Sequence, residues 1–225
     1  MTSINSSKDR FRSASLIIEL ALLGAFFWFD YTDRISLPVS NTPYLFLIGW
    51  LSLRLRGLRW RDVGWSRPSD IRQTAIVALI SAVIFQLFSL LVMIPIATRL
   101  TGETIDLSLL EQIEGNPVML LVGLITVWIL AAFGEEFVYR GYLLNRISDV
   151  TGQNMLGWGL ALLISSFIFG IIHFYQGIVG VIDTGVSGLV FGGLYLMWRR
   201  NLWMPILTHG FSNSIALVLA FLGVL

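Results

Sequence analysis

Long apolar runs separated by short charged connections dominate the chain, and about 20 apolar residues suffice for a helix to cross the hydrocarbon of a bilayer. The pattern predicts helical spans over Ser15–Phe29, Ile35–Leu53, Gln73–Thr98, Pro117–Gly134, Met155–Phe174, Gly177–Trp198 and Leu202–Leu225. Pro38 and Pro43 weaken the second span, which is expected to begin late. Basic residues precede the first span (Lys8, Arg10, Arg12), follow the second (Arg54, Arg56, Arg59, Arg61, Arg67, Arg72) and precede the last (Arg199, Arg200). In a seven-span arrangement these sites share one side. The Leu100–Asn116 connection instead holds Glu103, Asp106, Glu111 and Glu114. The positive-inside rule then puts the N-terminus in the cytoplasm and the C-terminus outside.

Composition strengthens the membrane reading. The chain is 56% hydrophobic and 13% charged, where a soluble domain carries about a quarter charged residues. We expect one all-α, integral-membrane domain over residues 1–225: a polytopic helical bundle of about seven transmembrane helices, or eight, enclosing a polar cavity. Net charge is +1 and the basic residues lie between apolar segments, so no nucleic-acid partner is expected. The absence of cysteine excludes disulfides, thiolate metal sites and a cysteine nucleophile. No small-x-small cleavage site follows Phe29, so the first span is expected to be retained. Glu19, near its inner end, reads as a structural, snorkelling residue. The Arg54–Arg72 segment mixes arginines with Trp60 and Trp65, as an interfacial arm would, with indoles at the headgroups and arginines facing anionic lipid. An ordinary basic loop is the alternative. The short chain without soluble extensions points to a bacterial cell membrane.

The polar residues inside the apolar runs are few. Glu135 and Glu136 end the Pro117–Gly134 run and precede Arg140, and the chain's two histidines, His173 and His209, also lie in apolar stretches. A charged group at mid-membrane costs about 2.5–3.5 kcal/mol on insertion scales, so such residues need partners or a function. Neighbouring helix positions point about 100° apart, so the two glutamates cannot face one partner equally. Glu136 and Arg140 have the i,i+4 spacing of an ion pair, which leaves Glu135 as the freer carboxylate. Phe169 and His173 share a helix face at i,i+4, as do His209 and Asn213. Each histidine could simply bond a neighbouring helix. Three spans each supplying polar groups suit a shared cavity better.

That set suffices for peptide hydrolysis. A poorly solvated glutamate can take a proton from water, helped by a histidine, and an asparagine amide with a second histidine can stabilise an oxyanion. Serine catalysis is poorly supported, because Ser212 lies on another helix face from His209. Zinc is an alternative, with Glu135, His173 and His209 as three ligands and one position open for water. The H-E-x-x-H motif is absent.

Glu135-Glu136-Phe137-Val138-Tyr139-Arg140 fits E-E-x-x-x-R, Phe169-Gly170-Ile171-Ile172-His173 fits F-x-x-x-H, and His209-Gly210-Phe211-Ser212-Asn213 fits H-x-x-x-N. In this order and on separate apolar spans they resemble the CPBP family of intramembrane proteases, which includes type II CAAX prenyl endopeptidases and bacteriocin-processing enzymes. The resemblance covers roughly residues 125–217, within a motif-bearing core of about 117–217. It implies an endopeptidase acting on a membrane-associated peptide or protein, with Glu135 and His173 activating water and His209 and Asn213 forming the oxyanion hole. Glu136 and Arg140 complete the first motif, Glu136 supporting the site or sharing the base role. The family was named as metalloproteases, but the glutamate-based reading requires no cofactor. A proteolytically silent immunity or scaffold protein of the same fold is the first alternative, and a proton or ion transporter the second; no matching interrupted half-sequences support a transporter repeat.

On this linear map Glu135 lies near the inner end of its span and His173 near the outer end of its own, more than about 20 Å apart at 1.5 Å per residue. Either the helix of Glu135 continues to about Ile147, or the spans around His173 are shifted or broken. Asp183 is expected in a short break between helices, with a place on the cavity wall as the alternative, and Gly188 with Gly192 in a close-packed helix face.

Overall fold

The computed structural model describes residues 41–225 together with residues 18, 19, 21–26 and 28. The described residues form helices and no strand. Of the first span, residues 15–17, 20, 27 and 29 lie outside the described residues. Helix α1 covers Thr42–Leu55, with Pro43 in its first turn, where a missing N–H breaks no hydrogen bond. Helix α2 runs Ile71–Thr101, α3 Pro117–Thr151, α4 Met155–Ile171, α5 Gly177–Met197 and α6 Trp203–Phe221. Polar residues set three starts: Asp70, Asn116 and Asn154 each accept a hydrogen bond from the backbone N–H three residues on.

Four helical stretches, α2, α3, α6 and Phe174–Met197, are long and apolar enough to cross a membrane; α4 is apolar but shorter. The decisive departure from the expected spans is α3. It does not stop at Gly134 but continues to Thr151, a helix of 35 residues in all, which puts Glu135 near its midpoint. Its two halves face different surroundings. No residue of Pro117–Thr126 is buried, whereas every residue from Phe137 to Leu144 is. The charged residues that ended the apolar run are enclosed by protein, so they do not end the helix. The Val127–Glu135 and Phe137–Leu144 stretches have the wider π-type hydrogen bonding, a geometry found mostly near functional sites.

Helix α4 packs on α5 and α2 on α6. The α4–α5 contact is as close as the glycines predicted: a Cβ on Gly188 would stand 3.0 Å from the Ser166 Cα and Cβ, and one on Gly170 would stand 2.7 Å from the Val181 carbonyl oxygen. Asp183 does not occupy a break. It lies within α5, and the chain turns earlier, at His173–Gln176, between α4 and α5.

The Arg54–Arg72 segment keeps Arg54, Arg59, Arg61, Arg67 and Arg72 exposed, but its indoles turn inward. Trp60 stacks on Phe46 at 5.0 Å and Trp65 on Trp203 at 4.9 Å, both also meeting Phe137. Gly64 docks the segment: with φ 106° it lies so close to the Arg200 carbonyl that any Cβ would clash, and its own carbonyl accepts from Leu202 N–H at 3.0 Å. Glu19 is structural, as expected, but as the centre of a network and not a snorkelling end. It accepts from Ser52 Oγ at 2.7 Å, Tyr142 Oη at 2.9 Å and the buried Arg146 Nε at 3.0 Å.

Candidate active site

A cavity of about 310 Å³ opens among α2, α3, α5 and α6, roofed by the connection between α2 and α3. Glu135, His173, His209 and Asn213 all line it. Continuation of α3 supplies the depth that the linear map lacked, and the early end of α4 supplies the rest. His173 stands two residues beyond α4, in the turn, with its Nδ1–H donating to the Phe169 carbonyl at 2.8 Å. This bond fixes the ring and leaves Nε2 as its free position. The rings of Phe169 and His173 meet edge to face at 4.8 Å, as the i,i+4 spacing predicted.

Glu136 and Arg140 lie behind the cavity wall. Arg140 Nη1 donates to Glu136 Oε1 at 2.8 Å, the ion pair read from their spacing. The same Oε1 is 2.8 Å from His209 Nδ1, a contact across helices that the sequence did not reveal. Arg140 also donates from Nη2 to the Gly188 carbonyl at 3.1 Å and stands 4.7 Å over the Phe169 ring. One glutamate thus joins α3 to α6, and its arginine joins α3 to α5 and α4. Both side chains are essentially inaccessible to solvent.

The remaining polar capacity is concentrated at this site. Among buried side-chain atoms, Glu135 Oε2, Glu136 Oε2 and the Tyr139 hydroxyl have no hydrogen-bond partner. An unpartnered buried carboxylate oxygen marks a place for water or ligand. Ser212 is not a nucleophile in this arrangement, because its hydroxyl donates to Gln86 Oε1 at 3.0 Å. For zinc the donor set does not fit: among the described residues no three His, Cys, Asp or Glu side chains are grouped to hold a metal ion.

Sequence reasoning passed over Gln86, Ser89 and Ser187, which also line the cavity. Gln86 and Ser89 were visible as isolated polar residues, one turn apart, in an apolar span. Asp183 was noticed but misplaced; it faces the cavity, and its Oδ1 accepts from Ser89 Oγ at 2.5 Å. At the mouth, hydrogen bonds from the Ser108 side chain and backbone hold the exposed Asp106 carboxyl below the ordinary aspartate range.

Residues 117–215 match the family model described as type II CAAX prenyl endopeptidase Rce1-like. No curated protein and no solved structure matches the chain. The matched segment starts at the first residue of α3 and ends within α6, so it contains all three motifs and about half of the cavity wall. Over residues 117–215 the chain is therefore similar to the Rce1-like type II CAAX prenyl endopeptidases, in agreement with the resemblance its three motifs carry.

Proposed function

We propose that this membrane protein is a metal-independent intramembrane endopeptidase that hydrolyses a peptide bond in a membrane-associated substrate. The observation that carries the reading is the single cavity shared by Glu135, His173, His209 and Asn213, with one buried Glu135 oxygen unpartnered. Glu135 accepts a proton from water as the water oxygen attacks the scissile carbonyl carbon. His173, held through Nδ1, orients that water through Nε2. The oxygen of the tetrahedral intermediate accepts from the Asn213 amide and from His209 Nε2–H. Collapse breaks the C–N bond, and the proton held by Glu135 goes to the departing amine.

His209 can donate from Nε2 while Nδ1–H points at Glu136 only as an imidazolium. Glu136 supplies the countercharge, and Arg140 holds that carboxylate aimed at the imidazole. Glu136 and Arg140 are thus positioning residues. The exposed arginines of the Arg54–Arg72 segment fit a cytoplasmic headgroup region, with the cavity mouth, on the acidic Gly102–Asn116 connection, at the opposite face.

The test is cleavage of a membrane peptide by wild type and by Glu135→Gln in lipid nanodiscs. Loss of turnover with unchanged thermal unfolding is the expected result, and equal turnover would sink the mechanism. Activity that disappears with a chelator and returns with zinc would overturn the metal-independent part alone.

A further inference from the structure

The cavity wall carries carboxylates from three elements, and its one cation in the proposed chemistry, the His209 imidazolium, is already matched by Glu136. Glu135 comes from α3, Asp183 from α5 and Asp106 from the connection, while no Lys or Arg is among the described residues that line the cavity. Arg140 is committed to Glu136 and the Gly188 carbonyl. Glu135 has its place in the proposed chemistry; Asp183 has none. Its Oδ1 is held by Ser89, which belongs to the π turn Ser89–Met93 of α2, so two helices fix the carboxylate. Its Oδ2 accepts from no described residue. His173 is close enough to interact electrostatically with both Asp183 and Glu135, but its Nδ1 is tied to the Phe169 carbonyl. A carboxylate at membrane depth with a free oxygen and no paired cation is unfavourable until a partner arrives.

We infer that Asp183 receives a cationic group of the substrate, and that the protease selects membrane peptides bearing a lysine or arginine close to the scissile bond. The inference rests on the protease reading and adds a substrate class to it.

Binding separates the two readings. Fluorescent, N-acetylated membrane peptides differing only by a single lysine or norleucine, scanned along the sequence, are titrated onto the Glu135→Gln protein in nanodiscs. At one or two adjacent positions lysine is expected to bind on the order of tenfold more tightly. Adding Asp183→Asn, which keeps an acceptor for Ser89, should erase that preference; Ser89→Ala, which keeps the charge, should retain it. A neutral peptide with a free amino terminus that gains the same tenfold would assign the cation to the terminus and not to a side chain. Equal binding of lysine and norleucine peptides at every position would overturn the inference. So would a preference that survives Asp183→Asn, or an equal loss for both peptides. Glu135-dependent cleavage blind to charge would remove only the role of Asp183. Charge-selective binding without cleavage by wild type would remove only the protease reading.

Discussion

Helix α3 carries two ionic clusters, one partly exposed and one buried, and they differ in what they leave unsatisfied. Towards its C-terminal end Arg146 pairs with Glu19 at 3.0 Å and Asp149 at 3.0 Å, Arg56 reaches the same Asp149 at 3.3 Å, and Ser52 with Tyr142 completes the shell of Glu19. Both Glu19 oxygens accept hydrogen bonds there. At mid-helix, Glu136 and Arg140 form a more deeply buried pair, but Glu135 Oε2 and Glu136 Oε2 stay unpartnered and the Nε2 positions of both histidines are uncommitted. Saturation makes the first cluster a fastening between helices. Incompleteness beside a cavity makes the second a site, because unmade hydrogen bonds are available to water and substrate.

The contrast is sharpest for single substitutions. Glu135→Gln should lower kcat by about 10²–10⁴, the range of a positioned general base, without shifting Tm. Arg146→Ala should act in the opposite way, destabilising by about 1–2 kcal/mol through the loss of its hydrogen bonds to the partly exposed carboxylates of Glu19 and Asp149, with kcat per folded molecule unchanged. A comparable fall in kcat for Arg146→Ala, measured on the folded fraction, would erase the distinction between fastening and site. Asn213→Ala should cost about 2.7–4 kcal/mol in transition-state stabilisation, seen in kcat more than in KM. Gly188→Ala probes the glycine face between the clusters. Its Cβ meets Ser166 backbone and side chain at 3.0 Å, so it should lower stability by about 1–3 kcal/mol, read by thermal unfolding. An unchanged Tm would mean that α4 and α5 can move apart freely.

Much of the site was legible because it is written locally. The Glu136–Arg140 pair, the Phe169–His173 contact and the shared face of His209 and Asn213 all follow from i,i+4 spacing, which a helix converts into adjacency. The late start of α1 and the close α4–α5 packing were legible for the same reason, through Pro43 and the glycines. What failed was the end of α3. Hydropathy counts composition and cannot tell a charge that meets water from one enclosed by other helices, so Glu135 looked like a terminus when it is a midpoint. The Asp183 error has the same root: a lone acid in an apolar run was read as a break, whereas Ser89 and the cavity accommodate it within the helix.

The amino-acid sequence by itself determined the membrane setting, the helical class and the seven motif residues, because these depend on apolar run length and on spacing within one helix. Tertiary structure alone decided the depth of Glu135 and the bond from His209 to Glu136 across 73 positions. It also decided the pairing of Glu19 with Arg146 across 127 and the place of Asp183 on the cavity wall. Such contacts join helices far apart in the chain, and neither periodicity nor composition records which buried charge will meet which partner.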